Sequence, residues 1–225
     1  MPDEIPVVTR LVLVRHGESN VTVDGVIGGH RGCTGLSPLG VAQAEALRGR
    51  LARTGEVVAD ALMASVLPRA IETAEIIAPA LGGLVPEQDC DLCELHPGES
   101  DGLTWEEHRV LYRPEGWTWS PHVPLAPGAE SWVGFQERVA RTLARIAAEH
   151  RGRTVVIACH GGVVDSSLAV FLGLPFHGRL SELRTRNTSL TEWELHEADQ
   201  LARGPARWRL IRYNDASHLA DLQHP

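Results

Sequence analysis

Arg10-Leu11-Val12-Leu13-Val14-Arg15-His16-Gly17 governs the reading of the whole chain. Arg10 to Val14 is a short branched-chain run, the pattern of a strand buried on both faces. It stops abruptly at Arg15-His16-Gly17. A strand of that kind needs helices on both sides, and the next one is announced by Ser37-Pro38, an N-cap followed by proline at the first helical position. Val41, Ala44, Leu47 and Leu51 then recur at helical spacing to about Arg53. Between strand and helix lies a long loop, Glu18 to Leu36, with Gly25, Gly28, Gly29, Gly32 and Gly35, a composition that suits a ligand-covering segment.

The same unit recurs downstream. Val57 to Ala64 reads as a strand, with Ser65 and Pro68 opening a helix that lines up Ile71, Ala74, Ile77 and Ala78 and carries Arg69 in its first turn. A helix from about Ser131 to His150 aligns Phe135, Val139, Leu143 and Ile146 toward a core before Gly152 stops it. Thr154 to Cys159 reads as another buried strand, running into His160-Gly161-Gly162 and a helix from about Val163 to Leu172. Ser189 to Leu195 and Arg207 to Tyr213 read as two later strands. This alternation predicts a three-layer α/β/α fold with a mostly parallel central sheet, one domain over residues 1–225. Pro86 to Pro127, with Trp105, Trp117, Trp119 and six prolines, breaks the pattern. It reads as an excursion with short helices, and residues 96–130 as an inserted lid over the site.

Composition narrows the partners. The chain has 225 residues, 43% apolar and 22% charged, close to the globular average. Its net charge of −8 argues against a nucleic-acid or anionic-membrane surface, so any positive charge for an anionic ligand has to be local. Four cysteines (Cys33, Cys90, Cys93, Cys159) are too few for a secreted disulfide scaffold, and the acidic start lacks the features of a signal peptide. The expected setting is soluble, reducing and cytoplasmic. A homodimer is left open.

Three strands appear to end in polar or cationic residues: Val14 runs into Arg15-His16, Ala64 into Ser65 to Arg69, and Cys159 into His160. Ligands of open α/β sheets bind outside the carboxyl ends of the strands, so these residues are expected in one pocket. Two arginines and two histidines make a focused positive site suited to a phosphate. Glycine after each histidine would let backbone N–H groups approach a phosphate oxygen. Either His-Gly pair alone also reads as a strand cap; the two together with Arg69 favour the ligand site.

At these residues the chain resembles branch 1 of the histidine phosphatase superfamily, which includes the cofactor-dependent phosphoglycerate mutases. The resemblance covers Arg15-His16-Gly17-Glu18-Ser19, Gly35-Leu36-Ser37-Pro38-Leu39-Gly40, Ser65-Val66-Leu67-Pro68-Arg69-Ala70, Glu94 followed by Gly98 and Gly102-Leu103, His160-Gly161-Gly162, Asn187-Thr188-Ser189 and the tail from Arg212 to Leu219. It implies a phosphohistidine mechanism with His16 as nucleophile, Arg15, Arg69 and His160 around the transferring group, and Glu94 as the proton donor and acceptor. Guanidinium forks can hold the equatorial oxygens without a metal, so no cofactor and no metal are expected. The phosphate subsite implied comprises Arg15, His16, Asn20, Thr22, Gly35, Arg69, Glu94, His160 and Gly161. One departure stands out: the family's asparagine six positions after the nucleophile is Thr22 here, with Asn20 two residues earlier. Glu18, Glu99 and Asp101 are the reserve carboxylates.

Other features attract less. Cys90 and Cys93 form a C-x-x-C pair without an evident second pair or companion histidine motif, so no metal site is expected. Trp117 and Trp119 read as packing anchors rather than pocket lining. The expected activity is hydrolysis of a small phosphorylated metabolite. A phosphoglycerate mutase is the alternative, disfavoured because the region after the acid offers only Arg109 and Arg113 as cations near Glu106, Glu107 and Glu115. A catalytically weak phospho-ligand binding module and a protein-interaction role for the tryptophan-rich excursion are the readings from other classes.

Overall fold

In a computed structural model describing residues 7–174, 183–196, 206–220 and 222, six strands form one sheet in the order β3-β2-β4-β1-β5-β6. The elements in chain order are β1 (Val8–Arg15), α1 (Asn20–Val23), α2 (Pro38–Thr54), β2 (Ala61–Ala64), α3 (Pro68–Ile77), β3 (Glu87–Gln88), α4 (Trp105–Tyr112), α5 (Trp132–Glu149), β4 (Thr154–Cys159), α6 (Gly161–Phe171), β5 (Leu190–His196) and β6 (Arg207–Asp215). β3, β2, β4 and β1 run parallel, while β5 and β6 add an antiparallel edge. The mixed, mostly parallel α/β sheet is the one expected from the alternation.

Both faces of β1 are covered, as its unbroken apolar run requires. Leu11 and Leu13 point into a core with Phe135, Val139, Leu143, Ile157 and Trp193, whereas Val12 and Val14 point the other way, into a core with Leu47, Leu51, Ala74, Ile77 and Val156. α5 and α6 therefore back one face, and α2 and α3 the other. The Ser37 hydroxyl caps α2 by accepting from Gly40 N, and Gly55 at φ 59° ends it in the left-handed conformation.

Several boundaries differ from expectation. β2 is only Ala61–Ala64; Val58, read as part of the strand, is 77% exposed, and residues 57–60 lie outside the ladder. Leu67, not Ser65, is the N-cap of α3, and the Ser65 hydroxyl instead accepts from Leu67 N at 3.1 Å. The long glycine-rich loop contains α1, and α6 starts two residues early with His160 as its N-cap. The segment that broke the alternation also contributes β3 to the sheet edge, parallel to β2.

Candidate active site

Strand register assembles the site. Arg15 pairs with Cys159 across β1 and β4, so the next residue on each strand, His16 and His160, leaves the sheet side by side. The two rings meet edge to face, with centroids 5.1 Å apart. On the other side of β4, Ala64 of β2 pairs with Ala158, which brings Ser65 and then Arg69 to the same end.

His16 is 5% exposed, and its protonation can be read from its neighbours. Nδ1 lies 2.6 Å from the Gly17 carbonyl oxygen, which only accepts, so Nδ1 carries the hydrogen. Nε2 accepts from Arg69 Nε at 3.1 Å, so it presents its lone pair. Burial, first, and then the charges of Arg69 and Arg15 hold the imidazolium form well below the usual histidine range. The Asn187 side-chain amide donates to the His16 carbonyl at 2.8 Å, and Thr188 N donates to the Arg15 carbonyl at 2.8 Å, fixing the turn that carries both residues.

His160 is fully buried, directly behind His16. Its Nε2 lies 2.7 Å from Ser65 Oγ, while its Nδ1 and the Nε of Arg15 are enclosed without a hydrogen-bond partner among the described residues. Burial and then Arg69 lower the His160 pKa well below its ordinary value. Arg15 also donates from Nη1 to the Thr185 carbonyl.

Glu94 approaches from the opposite wall. Its Oε2 accepts from Gly162 N at 2.9 Å and its Oε1 from Leu95 N at 3.1 Å. A β-carbon on Gly162 would stand 2.2 Å from Glu94 Oε1, and one on Gly17 would stand 2.4 Å from the Gly40 carbonyl oxygen. Gly162 thus makes room for a carboxylate and Gly17 for α2, which corrects the reading of Gly17 as a residue of phosphate approach; Gly161 lines the cavity.

Above these groups opens a cavity of about 940 Å³. Of the residues named from the sequence, Arg15, His16, Thr22, Arg69, Glu94 and Gly161 line it. His160 supports it from behind. Asn20 and Gly35 do not reach it: the Asn20 amide faces Thr34, and Gly35 is where the Glu72 carboxylate crowds the backbone. Ser19 lines the wall, its hydroxyl 2.9 Å from Thr22 Oγ1, so a hydroxyl pair stands at this part of the wall. The reserve carboxylates are committed elsewhere: Glu18 accepts from Ser37 Oγ, Glu99 from Tyr112 Oη, and Asp101 from the backbone of Gly29, Arg31 and Gly32.

The excursion forms part of the wall. Trp105 and Trp119 line the cavity with Trp132, which corrects the reading of Trp119 as a packing anchor; Trp117 instead lies under the Arg113 guanidinium, 4.7 Å away. Arg113, Arg184 and Arg186 add cations to the lining, together with Asp165. The last three were not singled out from the sequence: Arg184 and Arg186 lie on a segment without periodicity, and Asp165 sits in α6 with nothing in its spacing to mark it.

The C-x-x-C pair is not isolated either. His30, from the glycine-rich loop, and His96 join Cys90 and Cys93, with one ligand atom from each residue lying within 4.8 Å of the others. The signal available in the sequence was Cys90-x-x-Cys93-x-x-His96; His30, sixty residues away from Cys90, was not legible.

Comparison with known proteins agrees with this geometry. Residues 11–208 match the family model of the histidine phosphatase superfamily (branch 1). The chain is 31% identical to phosphoglycerate mutase-like protein 4 of Arabidopsis thaliana, over 94% of this chain and 87% of that protein. It is 30% identical to a metal-independent phosphoserine phosphatase of the same plant, over 96% and 85%. The solved structure of a mycobacterial glucosyl-3-phosphoglycerate phosphatase superposes with a TM-score of 0.74 at 29% identity, covering 92% of this chain and 99% of that one. No helix among the described residues is long and apolar enough to cross a membrane. With the paired histidines at the ends of β1 and β4 and this family match over most of its length, the chain belongs to branch 1 of the histidine phosphatase superfamily.

Proposed function

We propose that the protein hydrolyses phosphate monoesters of small carboxylate-bearing metabolites through a phosphohistidine on His16, in a cytoplasmic setting. The observation that carries this reading is the His16 ring itself, neutral, with Nδ1–H on the Gly17 carbonyl and the Nε2 lone pair facing the guanidinium of Arg69.

An incoming phosphate draws the Arg69 and Arg15 N–H groups onto its equatorial oxygens and so uncovers Nε2. The lone pair attacks phosphorus as the ester P–O bond breaks in line, and a protonated Glu94 delivers its proton to the departing oxygen. Glu94, now a carboxylate, takes a proton from water. The hydroxide attacks phosphorus, the P–N bond breaks, and inorganic phosphate leaves. The guanidiniums of Arg15 and Arg69 stabilise the charge on the phosphoryl oxygens in a site of low dielectric, where such donors act strongly, and His160 packs against the His16 ring to hold its orientation.

Two of the relatives are named for phosphoserine and glucosyl-3-phosphoglycerate, and both of those molecules carry a carboxylate near the phosphate ester. Arg113, Arg184 and Arg186 on the cavity wall supply the matching charge, and the tryptophans a surface for the remaining body. The same arginines also suit a mutase, which has to hold a second phosphate, and one relative is named mutase-like. Phosphate release from a panel of phosphorylated acids, measured beside 2-/3-phosphoglycerate interconversion with and without 2,3-bisphosphoglycerate, decides between them. Alkaline quenching followed by mass spectrometry should find phosphate on the peptide containing His16. Full turnover by His16→Ala would overturn the assignment; tight binding without turnover would favour the binding-module reading.

A further inference from the structure

We propose that His30, Cys90, Cys93 and His96 form a tetrahedral zinc site that ties the glycine-rich loop to the segment carrying Glu94. Cys90 Sγ lies 3.8 Å from His30 Nε2, 4.0 Å from His96 Nε2 and 3.9 Å from Cys93 Sγ. Around one zinc ion, with bonds of about 2.3 Å to sulfur and about 2.0–2.1 Å to nitrogen, neighbouring ligand atoms stand roughly 3.3–3.8 Å apart. The three edges from Cys90 Sγ need to contract by only a few tenths of an ångström, and none of the others exceeds 4.8 Å. Two thiolates and two imidazoles in this arrangement select a zinc-class ion over magnesium or calcium, which prefer oxygen. Four protein ligands make the site a structural one.

The surroundings are those of a built site. His96 turns Nε2 toward the cluster while its Nδ1 faces Glu130 Oε2 at 3.6 Å, the carboxylate-histidine arrangement that orients ligand imidazoles. The Ser65 hydroxyl stands 3.5 Å from Cys93 Sγ, placed to donate to a thiolate. His30 is held from both sides, because the Asp101 carboxylate accepts from the backbone of Gly29, Arg31 and Gly32. The other three ligands share a backbone that Arg138 grips through the carbonyls of Asp91, Cys93 and Glu94. Cys93 is buried, whereas Cys90 and His30 are exposed, which leaves an entry path.

The position gives the ion a task without a part in the chemistry. Cys93 and His96 bracket Glu94, and His30 belongs to the loop whose Gly28 carbonyl accepts from Arg69 Nη1 at 3.0 Å. One ion would brace the wall bearing the proposed acid against the wall touching the phosphate-binding arginine.

The test is a titration of the full chain, reduced and freed of metal, with Co²⁺ and then Zn²⁺. The expected result is one Co²⁺ per chain with thiolate-to-metal charge transfer and the intense visible bands of tetrahedral cobalt, all displaced by Zn²⁺. Cys90→Ser should weaken the charge-transfer band, and His30→Ala should lower affinity by more than the roughly 10–100-fold typical of losing an outer partner. Both replaced residues are exposed, and a circular dichroism spectrum matching the parent establishes that the variants fold. Absence of the charge-transfer band, an octahedral cobalt spectrum, or bands unchanged in both variants would overturn the proposal. So would a Cys90–Cys93 disulfide that re-forms in air when Zn²⁺ is present in excess.

Discussion

Arg69 Nε rests 3.1 Å from His16 Nε2, so the lone pair proposed to attack phosphorus is covered by one of the guanidiniums proposed to bind the phosphate. Under the proposed function, substrate and nucleophile compete for the same N–H, and the hydrogen bond that orients the ring has to give way to a stronger acceptor, a phosphate dianion.

Replacing Arg69 therefore has two opposed effects, and the loss of charge dominates. Arg69→Ala should lower kcat/KM by about 10²–10³-fold, the range for removing one preorganised donor from a transition state. Arg69→Lys should recover little, because an ammonium cannot span two phosphate oxygens in the fork geometry. Steady-state kinetics on a generic aryl phosphate check both; near-parental rates for the lysine variant would remove the need for the fork.

The His16 imidazole stays neutral well below the usual histidine range, because burial and two arginines oppose its charge. Its acid form should not limit turnover near pH 6.5. Once the second ionisation of the substrate phosphate, about 6, is allowed for, the acid limb of kcat/KM should lie well below that of a free imidazole. A pH-rate profile with an unassigned enzyme pKa near 6.5 would contradict this reading.

Gly162→Ala should act on Glu94 from a distance of one backbone turn. The added β-carbon would fall 2.2 Å from Glu94 Oε1, so the carboxylate has to move. The expected outcome is a fall in kcat of roughly 10²-fold, toward the 10²–10⁴ of losing a proton-transfer group, with the thermal midpoint changed far less than activity. Glu94→Gln should show the same kcat defect, and the two changes combined should cost little more than either alone.

Acid should unfold the protein before its surface carboxylates protonate. His218 is pushed down to about 4 by burial and by Arg50, and His16 and His160 are also depressed. Each binds its proton more readily in the unfolded chain, so stability is fully present above about 6.5 and falls as pH drops through the depressed values. Glu56, held at about 2 chiefly by its hydrogen bond with Arg50, adds a loss at still lower pH. Denaturant midpoints taken between pH 7 and pH 4 should decline steadily; a flat profile would show that these histidines are not held neutral by the fold.

How much of this was legible in the chain itself follows from its chemistry. β1 and β4 were readable because strands buried on both faces are almost wholly apolar, and their register then placed His16 beside His160 without further information. Glu94 emerged only through resemblance, since nothing in its neighbours' periodicity marks a catalytic carboxylate. The reasons for Gly17 and Gly162 were hidden because they depend on what packs against them, a backbone carbonyl in one case and a carboxylate in the other. The place of Trp119 in the cavity wall was hidden for the same cause: the other residues of that wall come from distant segments, and loops carry no period. His30 stands beside Cys90 only because the fold brings two segments sixty residues apart together.

Arg138 holds the Asp91, Cys93 and Glu94 stretch entirely by its carbonyl oxygens. A grip of that kind is indifferent to what the stretch displays. Exchanging a side chain on that stretch leaves these three bonds in place, and with them the path of the main chain that aims the carboxylate.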